Sequence, residues 1–372
     1  MFKKILITLI LTFLLALEVL IKSGNISPLI FQILFNKNID LKKSSPDSVN
    51  ILLLGRGGAH HDGPNLTDTI ILANLDIKDS KVTLVSIPRD VWVPELTGTN
   101  KKINEAYAQG EAKKPGGGIV LAKSVIGEVT GQDINYAVVI DFSGFVKAVD
   151  LMGGLDINVD NTFDDYEYPI DGKEDDLCGH TDQEVKDFTA TSSGSLTAES
   201  DQQQYFSCRY QHVHFDKGLT HMNGETALQY VRSRHAMGSE GTDFARSKRQ
   251  EKVIKALMNK AVSLQIITNP AKVIGLYDTL KDSINTDIAQ DEFDDFIKLA
   301  QKFKDAKTQT IVIDYGDPVT KRPGLLMNPP ISATYNYEWT LIPRMGNGNF
   351  SEISDYIKCQ LANKTCQITP TP

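Results

Sequence analysis

"VTLVSIPRDVWVP", residues 82–94, is the stretch from which the fold can be worked out, because an apolar run ends there in a proline, an arginine and an aspartate. Its first part, Val82–Ile87, has the pattern of a buried β-strand. In open α/β sheets, ligands bind beyond the carboxyl ends of the strands. Arg89 and Asp90 stand at such an end, so the stretch predicts an anion-binding site above a sheet.

Segments on either side of this stretch predict a sheet flanked by helices. Apolar runs at residues 50–55, 68–75 and 136–141 indicate strands covered on both faces, and residues 117–129 and 142–152 have helical patterns. The order is typical of βαβ units. The same patterns predict two later helices and two later strands, at residues 223–234, 242–266, 311–314 and 339–343. We therefore predict an α/β fold with a central, mostly parallel or mixed sheet flanked by helices.

The N-terminus has a basic and then apolar pattern that is typical of an export signal. Lys3 and Lys4 precede an apolar run that Glu18 interrupts. Residues 1–22 are interpreted as a signal anchor, that is, one transmembrane helix; the alternative is a cleaved signal peptide. Residues 23–48 are predicted to form a stalk. Both interpretations place the rest of the chain outside the cytoplasm, and the anchor predicts a single-pass protein of the cell membrane.

The charge of the chain argues against nucleic acid as a partner. Its 372 residues carry a formal net charge of −8, whereas a surface that binds a polyanion is usually basic. Residues 49–357 are long enough to form a domain with a substantial core. Within them, residues 161–210 are acidic and rich in Ser, Thr and Gln, and we interpret them as an inserted, partly flexible loop region.

The four cysteines are typical of a chain that works in an oxidising compartment. Cys178 and Cys208 flank a polar part of the insertion, and Cys359 and Cys366 close a short loop in the tail, residues 358–372. Four cysteines allow three pairings, of which two local disulfides are the simplest. Because no CxxC pattern favours a metal site, we predict structural disulfides.

The connection between the two later helices is rich in arginine. Asp243 stands in a capping position before the second helix. Arginine grips phosphate oxygens in a bidentate way, and helix N-termini add oriented N–H donors. Most charged runs form only a solvated face, but the chain is acidic overall and still concentrates arginine here, which favours a phosphate site. The residues concerned are Arg232, Arg234, Arg246, Arg249 and Gln250.

The glycine-rich turn after the first strand is a candidate phosphate and metal site. In "LLLGRGGAHHDGPNLTDTI", residues 52–70, glycines allow backbone N–H groups to approach phosphate, although the P-loop pattern GxxxxGK[ST] is absent. Asp68 begins the next strand, where a carboxylate can hold Mg²⁺ against a phosphate. The triplet His60, His61 and Asp62 is more often a plain turn than a set of metal ligands.

Several stretches, taken in order, resemble the LytR-CpsA-Psr family. The resemblance runs from about Val49 to about Lys260, with a weaker tail to about Ile357. The stretches are "NILLLG", "TDTIILANLD", "VTLVSIPRDVWVP", "KKINEAYAQG", "DFSGFVKAVDLMGGLDINVD", "HMNGETALQYVRSR" and "DFARSKRQ".

This resemblance implies a membrane-anchored, extracytoplasmic enzyme. Such a Mg²⁺-dependent phosphotransferase moves a glycopolymer from a polyprenyl-pyrophosphate carrier to peptidoglycan and leaves a phosphodiester link. Residues 49–357 would be its catalytic domain, an α/β sandwich with an apolar groove for the lipid tail.

The resemblance also implies roles for individual residues. Asp68 would hold Mg²⁺, and Lys102 would lie nearby as a further cation. Asp90 would orient the Arg89 guanidinium; the alternative is that it acts as a base. The residues counted as catalytic are Arg89, Asp90, Arg232 and Arg234. The residues that would bind the pyrophosphate are Arg89, Lys102, Arg232, Arg234, Arg246 and Gln250.

The sequence departs from the family at the glycine turn. Members of the family usually have an Asp followed by an Arg after the first glycine, whereas here Gly55 is followed by Arg56. They also have an Arg two residues before the metal-binding Asp, where this chain has Leu66. We predict that Arg56 replaces the missing guanidinium and that Asp62, or His61, replaces the missing metal ligand.

Two other functions remain open from the sequence. A hydrolase that cleaves the carrier pyrophosphate with water needs the same cations. A non-catalytic module that binds wall polymer is the expectation if the altered turn abolishes Mg²⁺ binding. A DNA-binding regulator conflicts with the export signal and the acidic charge.

Overall fold

The computed structural model describes residues 39–58, 63–96, 99–192, 203–261, 278–303, 305–317, 322–362, 364–366 and 368. The predicted anchor, residues 1–22, and most of the predicted stalk lie outside these ranges. Among the described residues, no helix is both long enough and apolar enough to cross a membrane.

The strands of the described residues are short apart from the first two. In chain order they are β1 (Ser48–Arg56), β2 (Thr67–Asp76), β3 (Lys81–Ser86), β4 (Trp92–Leu96), β5 (Thr99–Lys102), β6 (Tyr136–Asp141), β7 (Leu155–Val159), β8 (Phe163–Pro169), β9 (Tyr210–Phe215), β10 (Gly218–Met222), β11 (Ile284–Thr286), β12 (Lys307–Val312), β13 (Gly316–Asp317), β14 (Arg322–Pro323), β15 (Leu326–Met327) and β16 (Ile342–Pro343).

The α-helices lie between these strands and at the C-terminus. They are α1 (Glu105–Lys113), α2 (Gly117–Thr130), α3 (Phe142–Leu151), α4 (Asp182–Ser192), α5 (Gly224–Arg232), α6 (Asp243–Ala261), α7 (Phe293–Lys302) and α8 (Ser351–Leu361).

A mixed six-stranded sheet forms the centre of the fold, in the order β11-β6-β1-β2-β3-β12. β1 pairs in parallel with β6 and antiparallel with β2, while β3 pairs antiparallel with β2 and in parallel with β12. The α/β fold with a mixed sheet is therefore confirmed. The βαβ-like order is wrong for the first three strands, which form an antiparallel meander, because only residues 77–80 join β2 to β3 and a parallel crossover needs a dozen or more residues.

Apolar layers cover both faces of the sheet, as the continuous apolar runs predicted. Alternate residues of β1 point to opposite sides: Leu52 and Leu54 belong to one buried cluster, whereas Ile51 and Leu53 pack against another. The first cluster includes residues of α1, α2 and α8, and the second includes Leu299 of α7. The sheet is thus buried between helices, which fixes its strand ends rigidly.

The polar insertion is more ordered than the sequence suggests. The interpretation of residues 161–210 as a loop region is wrong for β8, which pairs antiparallel with β9, and for α4. Inside the insertion, the Tyr205 ring stacks on His180 and on Phe188, with 4.0 Å between ring centroids in each pair. Aromatic packing therefore gives this polar segment a small apolar centre of its own.

Both local disulfides form as predicted. Cys178 bonds to Cys208, which ties the start of the insertion to the segment before β9. Cys359 bonds to Cys366 and ties the tail to the end of α8. The pairing is the simplest of the three that the sequence allowed.

Candidate functional site

Four strands of the central sheet end at the same edge. β1, β3, β6 and β12 run in one direction, and β2 begins at the edge where they end. This topology brings Asp68, the second residue of β2, next to Arg89, which follows β3. The Arg89 Nη1 atom lies 2.5 Å from Asp68 Oδ1, and its Nε lies 3.5 Å from Asp90 Oδ2. The structure therefore places Arg89 beyond the carboxyl end of a strand, as the sequence predicted, and brings Asp68 next to it.

The two carboxylates hold the Arg89 guanidinium in its charged form. Burial alone would lower the pKa of Arg89, but the Asp68 and Asp90 carboxylates outweigh burial, so that the pKa is raised. Arg89 is therefore a fixed cation at the mouth of the sheet, and its side chain is still 26% exposed.

Above this edge lies a cavity of about 270 Å³, which we call the arginine cavity. One side is formed by the strand ends and by α5 and α6. The opposite side comes from the insertion and the start of β9, through Asp165, Glu167, Pro169, Gln203 and Tyr210. The structure brings six of the predicted site residues together in its lining: Asp68, Arg89, Arg232, Arg234, Arg246 and Gln250.

Aromatic rings and one aspartate hold Arg232 at the end of α5. Its guanidinium lies 4.2 Å from the centroid of the Phe142 ring and 5.4 Å from that of Tyr168. Its Nη1 atom donates to Asp171 Oδ1 at 3.0 Å. A guanidinium over aromatic faces keeps its charge while it loses water, which suits a cation that binds a phosphate in a partly dry site.

Asp165, a residue that the sequence analysis missed, shapes the connection that carries Arg234. It is fully buried, and its Oδ2 atom accepts hydrogen bonds from Ser233 Oγ at 2.6 Å and from the backbone N–H of Arg234 at 3.1 Å. A third bond comes from the His235 N–H at 3.3 Å. A polar insertion offers many carboxylates, and no sequence pattern distinguishes this one.

Arg249 also helps to hold the connection between α5 and α6, through hydrogen bonds to two backbone carbonyls. It is 2% exposed; its Nε donates to the Tyr230 carbonyl at 2.9 Å, and its Nη2 donates to the Ser233 carbonyl at 2.7 Å. An ion pair with Glu240, at 3.0 Å, neutralises its charge. The expectation that all four arginines of this connection converge on one anion site is therefore wrong for Arg249, which binds backbone carbonyls beneath the cavity.

The first turns of α6 present Arg246 and Gln250 to the cavity. The two are four residues apart and so share one face of the helix, and Gln250 Nε2 donates to Thr69 Oγ1 at 3.3 Å. Thr242 caps the helix, since its Oγ1 accepts from the Ala245 N–H at 3.2 Å. The prediction of Asp243 as the capping residue is wrong by one position, because α6 already begins at Asp243.

Lys102 lies beside Arg89 but not in the cavity lining. Its Nζ is 3.2 Å from Asp90 Oδ1 and 3.0 Å from Glu338 Oε2. Asp90 thus contacts two cations at once, Arg89 and Lys102. These contacts fit the interpretation that Asp90 orients Arg89.

The glycine turn places Arg56 next to a carboxylate. Arg56 Nη1 donates to Asn65 Oδ1 at 2.6 Å, and its Nη2 is 3.6 Å from Asp141 Oδ2. Asp141 ends β6 and caps α3 by accepting from the Gly144 N–H at 2.8 Å. Arg56 lies outside the lining of the arginine cavity. The other predicted members of this turn, His61 and Asp62, lie outside the described residues.

An apolar groove of about 220 Å³ lies next to the arginine cavity. It runs between the sheet and helices α3, α5 and α6, and its walls include Leu53, Ile71, Phe145, Leu228 and Val253. Five residues line both spaces: Thr69, Phe142, Val231, Arg232 and Gln250. The cationic arginine cavity and the apolar groove are therefore adjacent parts of one candidate site.

Asp68 fits the chemistry of a magnesium ligand. Mg²⁺ is usually bound by one or two carboxylates together with waters and substrate phosphates. The Asp68 carboxylate lines the same cavity as the four arginines, so it offers an oxygen donor beside the residues that are predicted to bind phosphate.

Comparisons with known proteins give one consistent result. The model of the LytR_cpsA_psr family matches residues 31–316. The polyisoprenyl-teichoic acid–peptidoglycan teichoic acid transferases TagU of Bacillus cereus (strain AH820) and of Enterococcus faecalis are 26% identical over 265 residues and 27% identical over 270 residues. These alignments cover 71% and 72% of this chain, and 68% and 69% of the relatives. The crystal structure of Bacillus subtilis TagV has the same fold, with a TM-score of 0.54 and 23% identity over 86% of this chain and 99% of that one.

Proposed function

Since the chain belongs to the LytR-CpsA-Psr family, we propose that it is a phosphotransferase that moves a glycopolymer from a polyprenyl-pyrophosphate carrier to peptidoglycan. The observation that carries this proposal is that the arginine cavity and the apolar groove lie side by side and share five lining residues. The similarity to the TagU transferases supports the same class of reaction.

A polyprenyl pyrophosphate matches both parts of the site. Its pyrophosphate is a compact polyanion, suited to the four arginines of the cavity, and its chain is a flexible hydrocarbon, suited to the groove. The shared residues Phe142, Val231 and Arg232 would lie at the junction between headgroup and chain. A soluble sugar nucleotide would use the cavity and leave the groove unfilled, which favours the lipid carrier as substrate.

The reaction that fits this site is a displacement at phosphorus. A hydroxyl group of peptidoglycan attacks the phosphorus that bears the glycopolymer; a new P–O bond forms, the bond to the bridging oxygen breaks, and polyprenyl phosphate leaves. The hydroxyl proton passes to the departing phosphate. Catalysis of such a step depends mainly on positioning and on neutralising charge.

The arginines of the cavity supply that neutralisation. Arg89 follows β3, Arg246 belongs to α6, Arg232 ends α5, and Arg234 lies in the connection after it. All four line the cavity, so different elements contribute positive charge to the phosphates. Gln250 adds an amide donor. Asp90 is proposed to orient Arg89 rather than to act as a base, because it is already paired with Arg89 and Lys102.

Mg²⁺ is proposed as the cofactor, with Asp68 as its protein ligand; when bound, the ion neutralises charge on the pyrophosphate oxygens. In the described structure Asp68 pairs with Arg89. Asp68 would hold the ion, and the Arg89 guanidinium beside it would hold a phosphate oxygen. Residues 1–22 are proposed as the anchor that keeps the site beside the membrane in which the carrier resides.

A product analysis tests the proposal. The purified protein is incubated with Mg²⁺, a polyprenyl-pyrophosphate oligosaccharide and a peptidoglycan fragment, and the products are identified by mass spectrometry. The expected result is a phosphodiester-linked adduct that forms at least about tenfold more slowly with the Arg89→Ala variant. Release of free sugar phosphate would identify a hydrolase instead, and saturable binding without either product would identify a binding module.

A further inference from the structure

The antiparallel pair of β8 and β9 carries two imidazoles on the face opposite the arginine cavity. Asp165 and Glu167 of β8 point to the cavity, whereas their neighbour Asp164 lies on the other face, as the alternation of side chains along a strand requires. His212 and His214, two residues apart on β9, share that outer face, and His214 is the register partner of Asp164. Three potential ligands thus meet on two paired strands.

The three side chains lie close enough together to share one metal ion. His212 Nε2 lies 2.8 Å from Asp164 Oδ1, and His214 Nδ1 lies 2.7 Å from the same oxygen. The three ligand atoms lie within 4.8 Å of one another. Tetrahedral bonds of about 2.0–2.1 Å would space such atoms roughly 3.3 Å apart, so only small side-chain shifts separate this cluster from a coordinated one.

Two further contacts orient the imidazoles toward that centre. The second ring nitrogen of His214, Nε2, lies 3.3 Å from Asp216 Oδ1. A carboxylate on the far nitrogen of a histidine is the arrangement that fixes the tautomer and orientation of a metal-ligating ring. The His212 ring stacks on Tyr166, with 4.2 Å between centroids and 6° between planes. Both rings are therefore held with one nitrogen directed at the Asp164 oxygen.

We infer that Asp164, His212 and His214 bind a borderline divalent transition-metal ion such as Zn²⁺. Two imidazoles and one carboxylate suit such ions, whereas Mg²⁺ prefers an all-oxygen set. Each of the three side chains is about one third to one half exposed, so the ion has free access and open positions for water. The ion would link β8 to β9 and stiffen the strand that carries Asp165 and Glu167.

A second histidine–aspartate pair provides a matched control. His221 of β10 and Asp156 of β7 are also register partners on paired strands, also exposed, and joined by a 2.7 Å contact. In the described part of the chain, no group of three ligands includes this pair. It therefore reproduces the charge and the hydrogen bond of the proposed site without its second imidazole.

The test is a titration of the full-length protein with Zn²⁺ in competition with a chromophoric chelator. One ion per chain is expected, and His212→Ala and His214→Ala should each weaken binding by at least about tenfold. His221→Ala and Asp68→Asn should leave it unchanged, and excess Mg²⁺ should not displace the ion. His212→Phe, which keeps the ring stack on Tyr166, should lose the ion as His212→Ala does.

A second measurement separates ligation from folding. Zn²⁺ should raise the thermal midpoint of the wild type and of His221→Ala, and should leave that of the His212→Ala/His214→Ala double variant unchanged, since an ion stabilises only the state that binds it. Wild-type affinity in the double variant would overturn the inference, as would an absence of saturable Zn²⁺ binding. This site is independent of the proposed transferase activity.

Discussion

Two adjacent faces of α6, about 60° apart around the helix axis, use the same side chain in different ways. Arg246 faces the arginine cavity, with Gln250 one turn further along. Arg249, only three residues after Arg246, is buried and binds the carbonyls of Tyr230 and Ser233. Arg246 lies on the surface that is proposed to receive an anion. Arg249 binds the backbone that positions this surface.

The electrostatic settings of Arg89 and Arg249 show the same contrast. Burial lowers the pKa of Arg249, and the Glu240 carboxylate only partly offsets that effect. At Arg89 burial also lowers the pKa, but Asp68 and Asp90 more than offset it. Both side chains remain charged at neutral pH. The difference teaches that the direction of a side chain on its element, and not its type, decides between ligand binding and support.

The largest expected effect comes from removing the buried guanidinium of Arg249. Arg249→Met should lower the free energy of unfolding by about 3–5 kcal/mol, because it leaves the partly buried Glu240 without its cation and two backbone carbonyls without a donor. Urea denaturation measures this change. Lys248→Met, an exposed neighbour on the same helix, should change it by less than about 0.5 kcal/mol. Equal stabilities of the two variants would contradict the supporting role of Arg249.

Variants at Arg89 test the ligand-binding side of this comparison. Arg89→Ala should reduce the transfer rate at least about tenfold, since a charge-assisted hydrogen bond contributes about 1.5–3 kcal/mol. Arg89→Lys should recover only part of the rate, because lysine lacks the bidentate fork. Thermal denaturation should show that both variants remain folded. An unchanged rate in Arg89→Ala would refute its assignment to the pyrophosphate.

A variant at Asp68 distinguishes the binding of metal from the binding of phosphate. Asp68→Asn keeps the shape of the side chain and removes its charge, so the Mg²⁺ concentration for half-maximal rate should rise at least about tenfold. The measurement is the transfer rate as a function of Mg²⁺ concentration. Asp90→Asn is the control; it should lower the rate without moving that midpoint. An identical Mg²⁺ dependence in wild type and Asp68→Asn would show that the carboxylate is no ligand.

The smallest effect is expected at Lys102, which is paired with Asp90 and Glu338. Exposed or partly exposed ion pairs contribute about 0–1 kcal/mol. Lys102→Met should therefore change the transfer rate by less than about fivefold at saturating substrate. A loss as large as that of Arg89→Ala would place Lys102 on the substrate after all.

Much of the fold was predictable because it depends on local pattern. The apolar runs that became β1, β2, β3 and β6 are buried on both faces, and their composition alone indicates this. Their pairing was predicted less well, since apolarity does not encode chain direction. The antiparallel direction of β3 could have been predicted from the connection between β2 and β3, because its four residues are too few for a parallel crossover.

Some residues of the site could likewise be predicted from the sequence, and others could not. Arg232 and Arg234 could be found from their position after a helix, and Arg89 from its position after a strand. Asp165 could not be found, because its role depends on the pairing of β8 with β9 across about 45 residues of chain. Arg249 was misplaced because it lies 100° around the helix from Gln250, a rotation that matters only once the buried face is known.

The most direct test of the account is a binding titration with a short polyprenyl pyrophosphate, compared with inorganic pyrophosphate and with the corresponding polyprenol. The shared lining of the arginine cavity and the apolar groove predicts that the intact lipid binds at least about tenfold more tightly than either fragment, because burial of its chain adds about 25 cal/mol per Å² to the binding of its headgroup. Arg246→Ala should remove most of the advantage over the polyprenol. Equal affinity for inorganic pyrophosphate and the intact lipid would contradict the central claim that the two spaces form one site.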